Sequence, residues 1–352
     1  MDIKKFLCEM SESPGISGYE HDLAQKISEN CPWADETRSD KLGNLILLKR
    51  GKDDQNSRPK IMLAAHMDEI GLMVTKIEKE GFIRFSTVGG FDQRVLLAQE
   101  VVVHGKKDLP GVIGAKPPHS LTAEERRRTV SIEDMFIDIG FDSFEKVSQY
   151  VNVGDLITIK RDCLSLQGNY ITGKAMDDRV GVAVMLECLK ELAKREHIAD
   201  VYAVCTVQEE VGLRGATTST YGIVPDIGIA IDVGFGDMPG IPEYDSIKMS
   251  NGPGITVGPQ VHPKLHERMV KTARDWNIPF SPEATPSPGG TDTYAMQVTR
   301  SGIPTMLLSV PIRYMHTPVE TVDYTDVIRT GRLLALFIAE LDHEFLEGLK
   351  CF

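Results

Sequence analysis

The sequence predicts an α/β fold in which a doubly wound mixed sheet, flanked by helices, is interrupted by an inserted small β-barrel-like domain. Short, fully apolar runs typical of buried parallel strands occur three times, as VYAVCTV, IGIAI and PTMLLSV. Helical patterns alternate with these runs, which favours a sheet covered on both faces. Between 71 and 160 the pattern changes to short β-rich pieces separated by glycine turns. We therefore expect a main domain at 1–70 plus 161–352 and an inserted domain at 71–160.

The first elements are two predicted helices and two predicted strands. Ile3, Phe6, Leu7 and Met10 recur at helical spacing, and a second helix follows the break SPGISG. The apolar segments NLILLKR and KIMLAAH predict strands on either side of the polar loop GKDDQNSRP.

The segment 71–160 predicts a small barrel or sandwich, because its strands are short and regularly spaced by turns. One piece departs from this pattern: LTAEERRRTVSIEDMFIDIG contains the charge run EERRR. Such a run is typical of a solvated surface, and contact with a partner is the alternative.

Alternating strands and helices return after Asp162. The segment 178–196 predicts an amphipathic helix with acidic residues at its start and Lys and Arg at its end, as the helix dipole favours. Further helices are predicted for HPKLHERMVKTARDW and TDVIRTGRLLALFIAELDHEFLEGL.

Composition and charge limit the classes of partner. The chain has 352 residues, of which 41% are hydrophobic and 26% charged, as is ordinary for a globular protein of about two domains. A formal net charge of −12 argues against nucleic acid or an anionic membrane as the main partner. We expect no secretory signal in MDIKKFLCEMSES, and no apolar run approaches the roughly 20 residues of a membrane span.

Six cysteines are scattered along the chain without a C-x-x-C pair. They are Cys8, Cys31, Cys163, Cys188, Cys205 and Cys351. This spacing favours reduced thiols in a cytoplasmic protein over a disulfide framework or a zinc site.

Polar side chains interrupt the apolar pattern at the ends of the predicted strands and at the start of one helix. They are His66, Asp68, Asp177, Asp178, Glu209, Glu210, Asp232 and His316. Because the carboxyl ends of the strands in an open α/β sheet border one crevice, we expect these side chains to converge there.

This set of residues indicates a metal site. Clustered carboxylates raise each other's pKa unless cations compensate. Two imidazoles with several carboxylates and no thiolate form a ligand set for zinc, cobalt or manganese. Paired hydrolytic ions lie about 3.5–4 Å apart and share a bridging carboxylate. Successive side chains point to opposite sides, so one glutamate of the Glu209–Glu210 pair can bind metal while the other acts as general base.

Six motifs occur in a fixed order: AAHMDEIG, GKAMDDRVG, VQEEVGLRGA, AIDVG, SPGGTDTYAMQ and RYMHTPVE. Together they resemble the cytosolic M42 metallo-aminopeptidases, which are glutamyl-aminopeptidase-like enzymes that form tetrahedral shells. The resemblance covers essentially the whole chain. It implies a zinc-peptidase-like main domain and small peptide substrates. It also implies an inserted domain that mediates dimerisation and dimers that assemble into a hollow dodecamer.

The resemblance also implies five metal ligands for two divalent ions per subunit. His66 and Asp232 bind one ion, Glu210 and His316 bind the other, and Asp177 bridges both.

Two further roles follow from the same resemblance. Glu209 acts as the general base, which takes a proton from the attacking water and returns it to the leaving amine. Asp68 orients the imidazole of His66.

Two other functions are weighed against this one. A glycoside hydrolase also uses paired carboxylates, but it needs no metal and favours aromatic sugar platforms, whereas this chain has two Trp residues. A metal-stabilised scaffold without activity is the second alternative, although all the implied ligands and the base are present. Loss of peptide turnover on chelation separates the aminopeptidase from both.

Three smaller features leave alternatives open. The stretch SPGGTDTYAMQ predicts either a turn before a helix capped by Thr291 or Asp292, or a wall of the substrate pocket. His262 and His266 have the i,i+4 spacing of metal ligands, but a surface helix pair is the favoured interpretation. Arg313 lies near His316 in the chain and is a candidate contact for an acidic substrate side chain.

Overall fold

The computed structural model describes residues 2–52, 58–287 and 289–349. Part of the predicted polar loop, Pro288 of the glycine-rich stretch and Cys351 lie outside the described residues.

Nine α-helices and seventeen strands form within the described residues. The helices are α1 Ile3–Glu12, α2 His21–Glu29, α3 Phe144–Val147, α4 Met176–Leu192, α5 Arg214–Ile223, α6 Pro263–Asp275, α7 Asp292–Gln297, α8 Tyr324–Ala339 and α9 His343–Glu347. The strands are β1 Glu36–Ser39, β2 Leu45–Lys49, β3 Lys60–His66, β4 Gly71–Ile77, β5 Ile83–Val88, β6 Glu100–His104, β7 Asp108–Ala115, β8 Met135–Asp138, β9 Leu156–Ile159, β10 Leu164–Ser165, β11 Tyr170–Gly173, β12 Asp200–Thr206, β13 Ile227–Phe235, β14 Gly254–Val257, β15 Ser281–Ala284, β16 Thr305–Arg313 and β17 Glu320–Asp323.

A mixed sheet of eleven strands forms the centre of the described chain. Its order is β1-β2-β12-β3-β13-β16-β17-β11-β10, and β14 and β15 continue outward from β16. The central strands β12, β3, β13 and β16 run parallel. Helices α4 and α7 both pack against β3 and β13, so these strands are almost fully buried. Such burial explains the continuous apolar runs in the sequence and confirms the predicted doubly wound mixed sheet flanked by helices.

The two N-terminal helices lie where the sequence predicts them. Asp2 caps α1 by accepting the backbone N–H of Lys5. The helix buries one face, which includes the predicted residues Phe6 and Met10. The helical periodicity of the sequence therefore predicts correctly which face of α1 is buried.

The strands β4 to β9 close into a six-stranded barrel in the order β4-β5-β8-β7-β6-β9. The barrel has its own hydrophobic core, which is separate from the core around the main sheet. Closure leaves its strands without free edges. The run Glu124–Arg128 is exposed on the β7–β8 connection, as expected of a solvated surface.

The helix predicted as amphipathic at 178–196 is instead buried on nearly every side. It begins at Met176, ends at Leu192, and leaves only Lys190 and Glu191 partly exposed. The reason is its position between the central strands and two other helices, α1 and α8. The predicted amphipathicity was therefore wrong, because Asp178, Arg179 and Glu187 are buried within the helix, and the charged residues 194–196 lie beyond its end.

The predicted C-terminal helical region consists of two helices rather than one. Helix α8 ends at Ala339, and Asp342 then caps α9 by accepting the backbone N–H of Phe345 at 2.8 Å.

The expectation that all thiols are reduced is wrong for one pair. Cys8 of α1 and Cys163, which follows the barrel, form a disulfide across 155 residues of sequence. Cys31, Cys188 and Cys205 are free and buried. The sequence spacing did not predict this disulfide, because only the fold of the inserted barrel brings Cys163 back close to α1.

Within the described part of the chain, no helix is both long enough and apolar enough to cross a membrane.

Candidate metal centre

The carboxyl edge of the central strands carries the polar residues predicted from the sequence. His66 ends β3, and Asp232 lies in β13. Glu209 and Glu210 lie in the turn between β12 and α5, and two residues separate them from the end of the strand. The structure brings all eight predicted residues into one cluster.

The carboxylate of Asp177 lies between two imidazoles. His66 Nε2 is 3.0 Å from Asp177 Oδ1, and His316 Nε2 is 3.3 Å from Asp177 Oδ2. The second imidazole is also 3.5 Å from Oε1 of Glu210. His66, Asp177 and Glu210 thus offer ligand atoms within 4.8 Å of one another, close enough to hold one cation.

A second group shares His66 with the first. The possible ligand atoms of His66, Asp178 and Asp232 also lie within 4.8 Å of one another, and all three residues are buried. Asp178 was not among the five predicted ligands. One of its oxygens accepts the backbone N–H of Gly181, whereas Oδ2 is buried without a hydrogen-bond partner. An orphaned carboxylate oxygen beside an imidazole fits a bound cation, because a buried acceptor without a partner is costly.

The charges of the cluster also fit bound cations. Burial, together with repulsion from neighbouring carboxylates, raises the pKa of Glu209 to about 10, of Asp232 to about 8 and of Glu210 to about 7. The nearby cations Lys174 and Arg179 are both paired with Glu69, at 2.6 and 3.3 Å.

The imidazoles respond in the opposite way. Burial opposes the charged form of His66, but the contacts with Asp177 and Glu209 raise its pKa well above the usual value. The contact with Asp177 likewise raises the pKa of His316 to about 9. The cluster therefore favours positive charge at its centre, as a hard-cation site with nitrogen and oxygen ligands does.

Asp68 contacts His66 mainly through its backbone. Nδ1 of His66 is 3.2 Å from the carbonyl oxygen of Asp68 and 3.6 Å from its carboxylate. A backbone acceptor at Nδ1 fixes the tautomer that leaves Nε2 free to bind a metal. The carboxylate itself accepts hydrogen bonds from the Ser17 hydroxyl at 2.6 Å and from the backbone N–H groups of Glu209 and Glu210 at 3.0 and 3.3 Å.

Three buried carboxylates around the cluster were not predicted as site residues. Glu320 accepts the backbone N–H groups of His316 and Asp177 at 2.8 and 3.1 Å, and burial raises its pKa to about 8. Asp292 accepts the hydroxyl of Thr206 at 2.6 Å, and burial raises its pKa to about 6.

The third, Glu20, accepts the backbone N–H groups of Gly18 and Gln208, and burial raises its pKa to about 7. Glu320 and Asp292 stand inside the motifs RYMHTPVE and SPGGTDTYAMQ, and Glu20 lies two residues after SPGISG. Their roles were missed because each depends on contacts between distant segments.

Apart from Asp292, the smaller predicted features contribute no group to the cluster within the described residues. Thr291 takes the N-cap position of α7, but its side chain makes no capping bond. His266 is 2.9 Å from the carbonyl of Thr256, and neither it nor His262 joins a metal-binding group within the described residues. Arg313 contacts Asp237, with its Nε donating to the backbone carbonyl at 2.8 Å.

The central parallel strands of the mixed sheet carry a buried cluster of imidazoles and carboxylates at their carboxyl ends. This combination of fold and site is typical of metallopeptidases. Comparison with known proteins identifies the family. The profile of the M42 glutamyl aminopeptidases matches residues 43–333. The chain therefore belongs to the M42 family of aminopeptidases, which are hydrolases.

Similar proteins match over nearly their whole length. The lysyl aminopeptidase of Pyrococcus furiosus is 38% identical over 337 residues, which is 94% of this chain and 95% of the relative. The structure of a TET aminopeptidase from a marine sediment Thaumarchaeota archaeon has 36% identity and a TM-score of 0.93, with 99% of each chain covered.

The TET1 peptidase of Pyrococcus horikoshii, which can assemble into a tetrahedron or a large octahedral shell, is 34% identical. Its TM-score is 0.85, with 97% of this chain and 100% of that chain covered. The family assignment agrees with the predicted aminopeptidase and gives no support to the glycoside hydrolase alternative.

Proposed function

We propose that the enzyme removes the N-terminal residue of short peptides with two divalent ions, zinc, cobalt or manganese, at this cluster. The observation that carries the proposal is the carboxylate of Asp177, which has the Nε2 atom of His66 at one oxygen and that of His316 at the other. One imidazole at each oxygen is the arrangement expected around a bridging carboxylate.

His66 and Asp232 would hold one ion, and Glu210 and His316 the other, with Asp177 shared. Asp178 is a further candidate ligand beside Asp232, since its Oδ2 has no other partner. When bound, the ions supply Lewis-acid activation of a water molecule and of the scissile carbonyl.

Glu209 is proposed to carry the proton. Its Oε2 lies 4.0 Å from Nε2 of His66, at the side of the cluster, and the residue is buried. The carboxylate accepts a proton from the attacking water and delivers it to the leaving amine. Its backbone is fixed for this task by the bond from its N–H to Asp68.

We also propose a homo-oligomer in which dimers, joined through the barrel, assemble further, as a dodecamer does. The barrel segment exposes four large apolar side chains: Leu97, Val112, Phe144 and Val153. Exposed apolar surface on a closed barrel favours contact with another subunit. Light scattering that gives a mass near 38.9 kDa, that of one subunit, would contradict this proposal. The cytoplasmic location stays a prediction from the sequence.

Glu209→Gln tests the catalytic assignment. We expect kcat on an aminoacyl-p-nitroanilide to fall about 10²- to 10⁴-fold, because the amide cannot accept the proton. The metal content, measured by elemental analysis after dialysis against zinc, should stay at two ions per subunit. Glu267→Gln, on the exposed face of α6, is the control and should change neither quantity. Near-normal turnover by the Glu209 variant would remove this residue from the mechanism.

A further inference from the structure

We propose that Glu283 lies beside the bound N-terminal residue of the substrate and makes the enzyme prefer lysine or arginine at that position. This inference rests on the proposed aminopeptidase function, and it assigns a substrate class to the same site.

The strand register places Glu283 on the face of the sheet that carries the metal-ligand candidate Asp232. Asp232 of β13 pairs with Ser309 of β16, which in turn pairs with Gly254 of β14. Paired residues on neighbouring strands point their side chains to the same face. Glu283 stands on β15, opposite Thr256 of β14, two residues along from Gly254 and therefore on that face.

The side chain of Glu283 reaches back across the sheet towards Asp232. Its Oε2 accepts hydrogen bonds from the hydroxyls of Ser309 and Thr256, both at 2.6 Å. Its Oε1 lies over β13, only 3.0 Å from where a Cβ on Gly234 would stand. Gly234 is two residues beyond Asp232, which corresponds to roughly 7 Å along a strand.

Two glycines leave the space that this carboxylate occupies. A Cβ on Gly234 would also lie 2.5 Å from Cδ1 of Ile247, and one on Gly254 would lie 2.7 Å from the same atom. Any larger residue at either position would displace Glu283 or Ile247. The missing side chains therefore let the carboxylate of Glu283 lie close to the sheet, against the strand that carries Asp232.

Glu283 forms no ion pair among the described residues, and its carboxylate accepts hydrogen bonds from the two hydroxyls. Three basic side chains already have other acidic partners: Lys174 and Arg179 pair with Glu69, and Arg313 contacts Asp237. The residue is partly exposed, so an incoming side chain can reach it. A carboxylate in this setting attracts a cation and repels an acidic side chain.

The reach of the substrate fits this distance. The scissile carbonyl has to lie at the metal-ligand candidates, so the side chain of the N-terminal residue extends along the neighbouring wall. The stem of a lysine carries its ammonium about 6 Å from Cα, which is comparable with the roughly 7 Å of strand between Asp232 and Gly234, beside which the carboxylate of Glu283 lies. Arginine reaches slightly further and can form two parallel hydrogen bonds.

The test compares kcat/KM for lysyl-, arginyl-, leucyl- and glutamyl-p-nitroanilide in the metal-loaded enzyme. We expect the unmodified enzyme to prefer the basic substrates. In Glu283→Gln, kcat/KM for the lysyl substrate should fall about 10-fold or more, while the leucyl value changes less than about 3-fold. Glutamine keeps an acceptor for both hydroxyls, so leucyl turnover reports that the site is intact. The lysyl preference should also weaken at high salt.

Glu267→Gln removes one negative charge from the exposed face of α6 and is the matched control, with an expected lysyl-to-leucyl ratio equal to that of the unmodified enzyme. Glu283→Lys should make the glutamyl substrate better than the lysyl one. An unchanged lysyl-to-leucyl ratio in Glu283→Gln overturns this inference while leucyl turnover leaves the proposed function standing. No turnover of any substrate by the unmodified enzyme overturns the proposed function, and this inference with it.

Discussion

At the scale of single residues, the carboxylate of Asp68 connects the N-terminal loop to the loop that carries the two glutamates. Its oxygens accept the hydroxyl of Ser17 and the backbone N–H groups of Glu209 and Glu210. The sequence predicted only a contact with His66, since two positions of separation suggest a local role. The contacts with distant backbone depend on how two loops meet, which spacing does not encode.

Asp68→Asn is expected to lower both kcat and metal affinity by about 10- to 100-fold, as is usual when a group behind a ligand is altered. An amide offers one acceptor oxygen in place of two, so the backbone N–H of Glu209 or of Glu210 loses its acceptor. Turnover and zinc binding, followed by isothermal titration, measure the two effects. Ser17→Ala removes only the hydroxyl and should have the smaller effect. A larger effect from Ser17→Ala than from Asp68→Asn would contradict this account.

At the scale of elements, the sequence predicts what local pattern controls. The strands β3, β12, β13 and β16 are apolar over most of their length because they are covered, so the polar residues near their ends could be located. Glu320 and Asp292 were missed because their roles arise from contacts with Asp177 and Thr206, on other elements. Helix α4 was misjudged because periodicity does not report coverage by a second layer of helices.

Gly181→Ala tests how closely α4 holds the site. A Cβ at this position would lie 2.3 Å from Oδ2 of Asp178, so the carboxylate must move. We expect destabilisation by about 1–3 kcal/mol in urea unfolding and weaker zinc binding. Gly222→Ala in α5 is the matched control, because its Cβ meets nothing within 4 Å. That change should stabilise by about 0.4–1 kcal/mol and leave zinc binding unchanged. Equal zinc affinity in both variants would contradict the close contact.

At the scale of the whole molecule, the sequence did not predict the covalent link between α1 and the segment that follows the barrel. The barrel segment could be predicted from a change in the sequence pattern. The disulfide of Cys8 with Cys163 could not, because it depends on where the chain leaves the barrel. The metal-ligand candidates likewise come from five separate segments, and only the fold brings them together. Their collection at one edge places several buried carboxylates and two imidazoles in one small volume, so stability should depend on metal and pH together.

Stability of the metal-free enzyme is expected to fall as pH rises from 5 to 9. Burial raises the pKa of Glu320 and of Asp232 from below 5 to about 8, and contact with Asp177 raises that of His316 from 6.5 to about 9. In this window the folded chain holds protons that the unfolded chain has released, so raising the pH favours unfolding. The lowered pKa of Asp177 opposes this trend only at pH values below the usual pKa of an aspartate, 3.8.

Bound divalent ions should remove much of this dependence, because they compensate the same carboxylates without protons. Calorimetry of chelated and zinc-loaded enzyme at pH 5, 7 and 9 measures it, with the loaded enzyme as the matched control. The difference in Tm should widen with pH, reaching several degrees or about 5 °C at pH 9. The same Tm difference at all three pH values would mean that the buried cluster and the ions do not interact. This result would contradict the assignment of the cluster as a metal site.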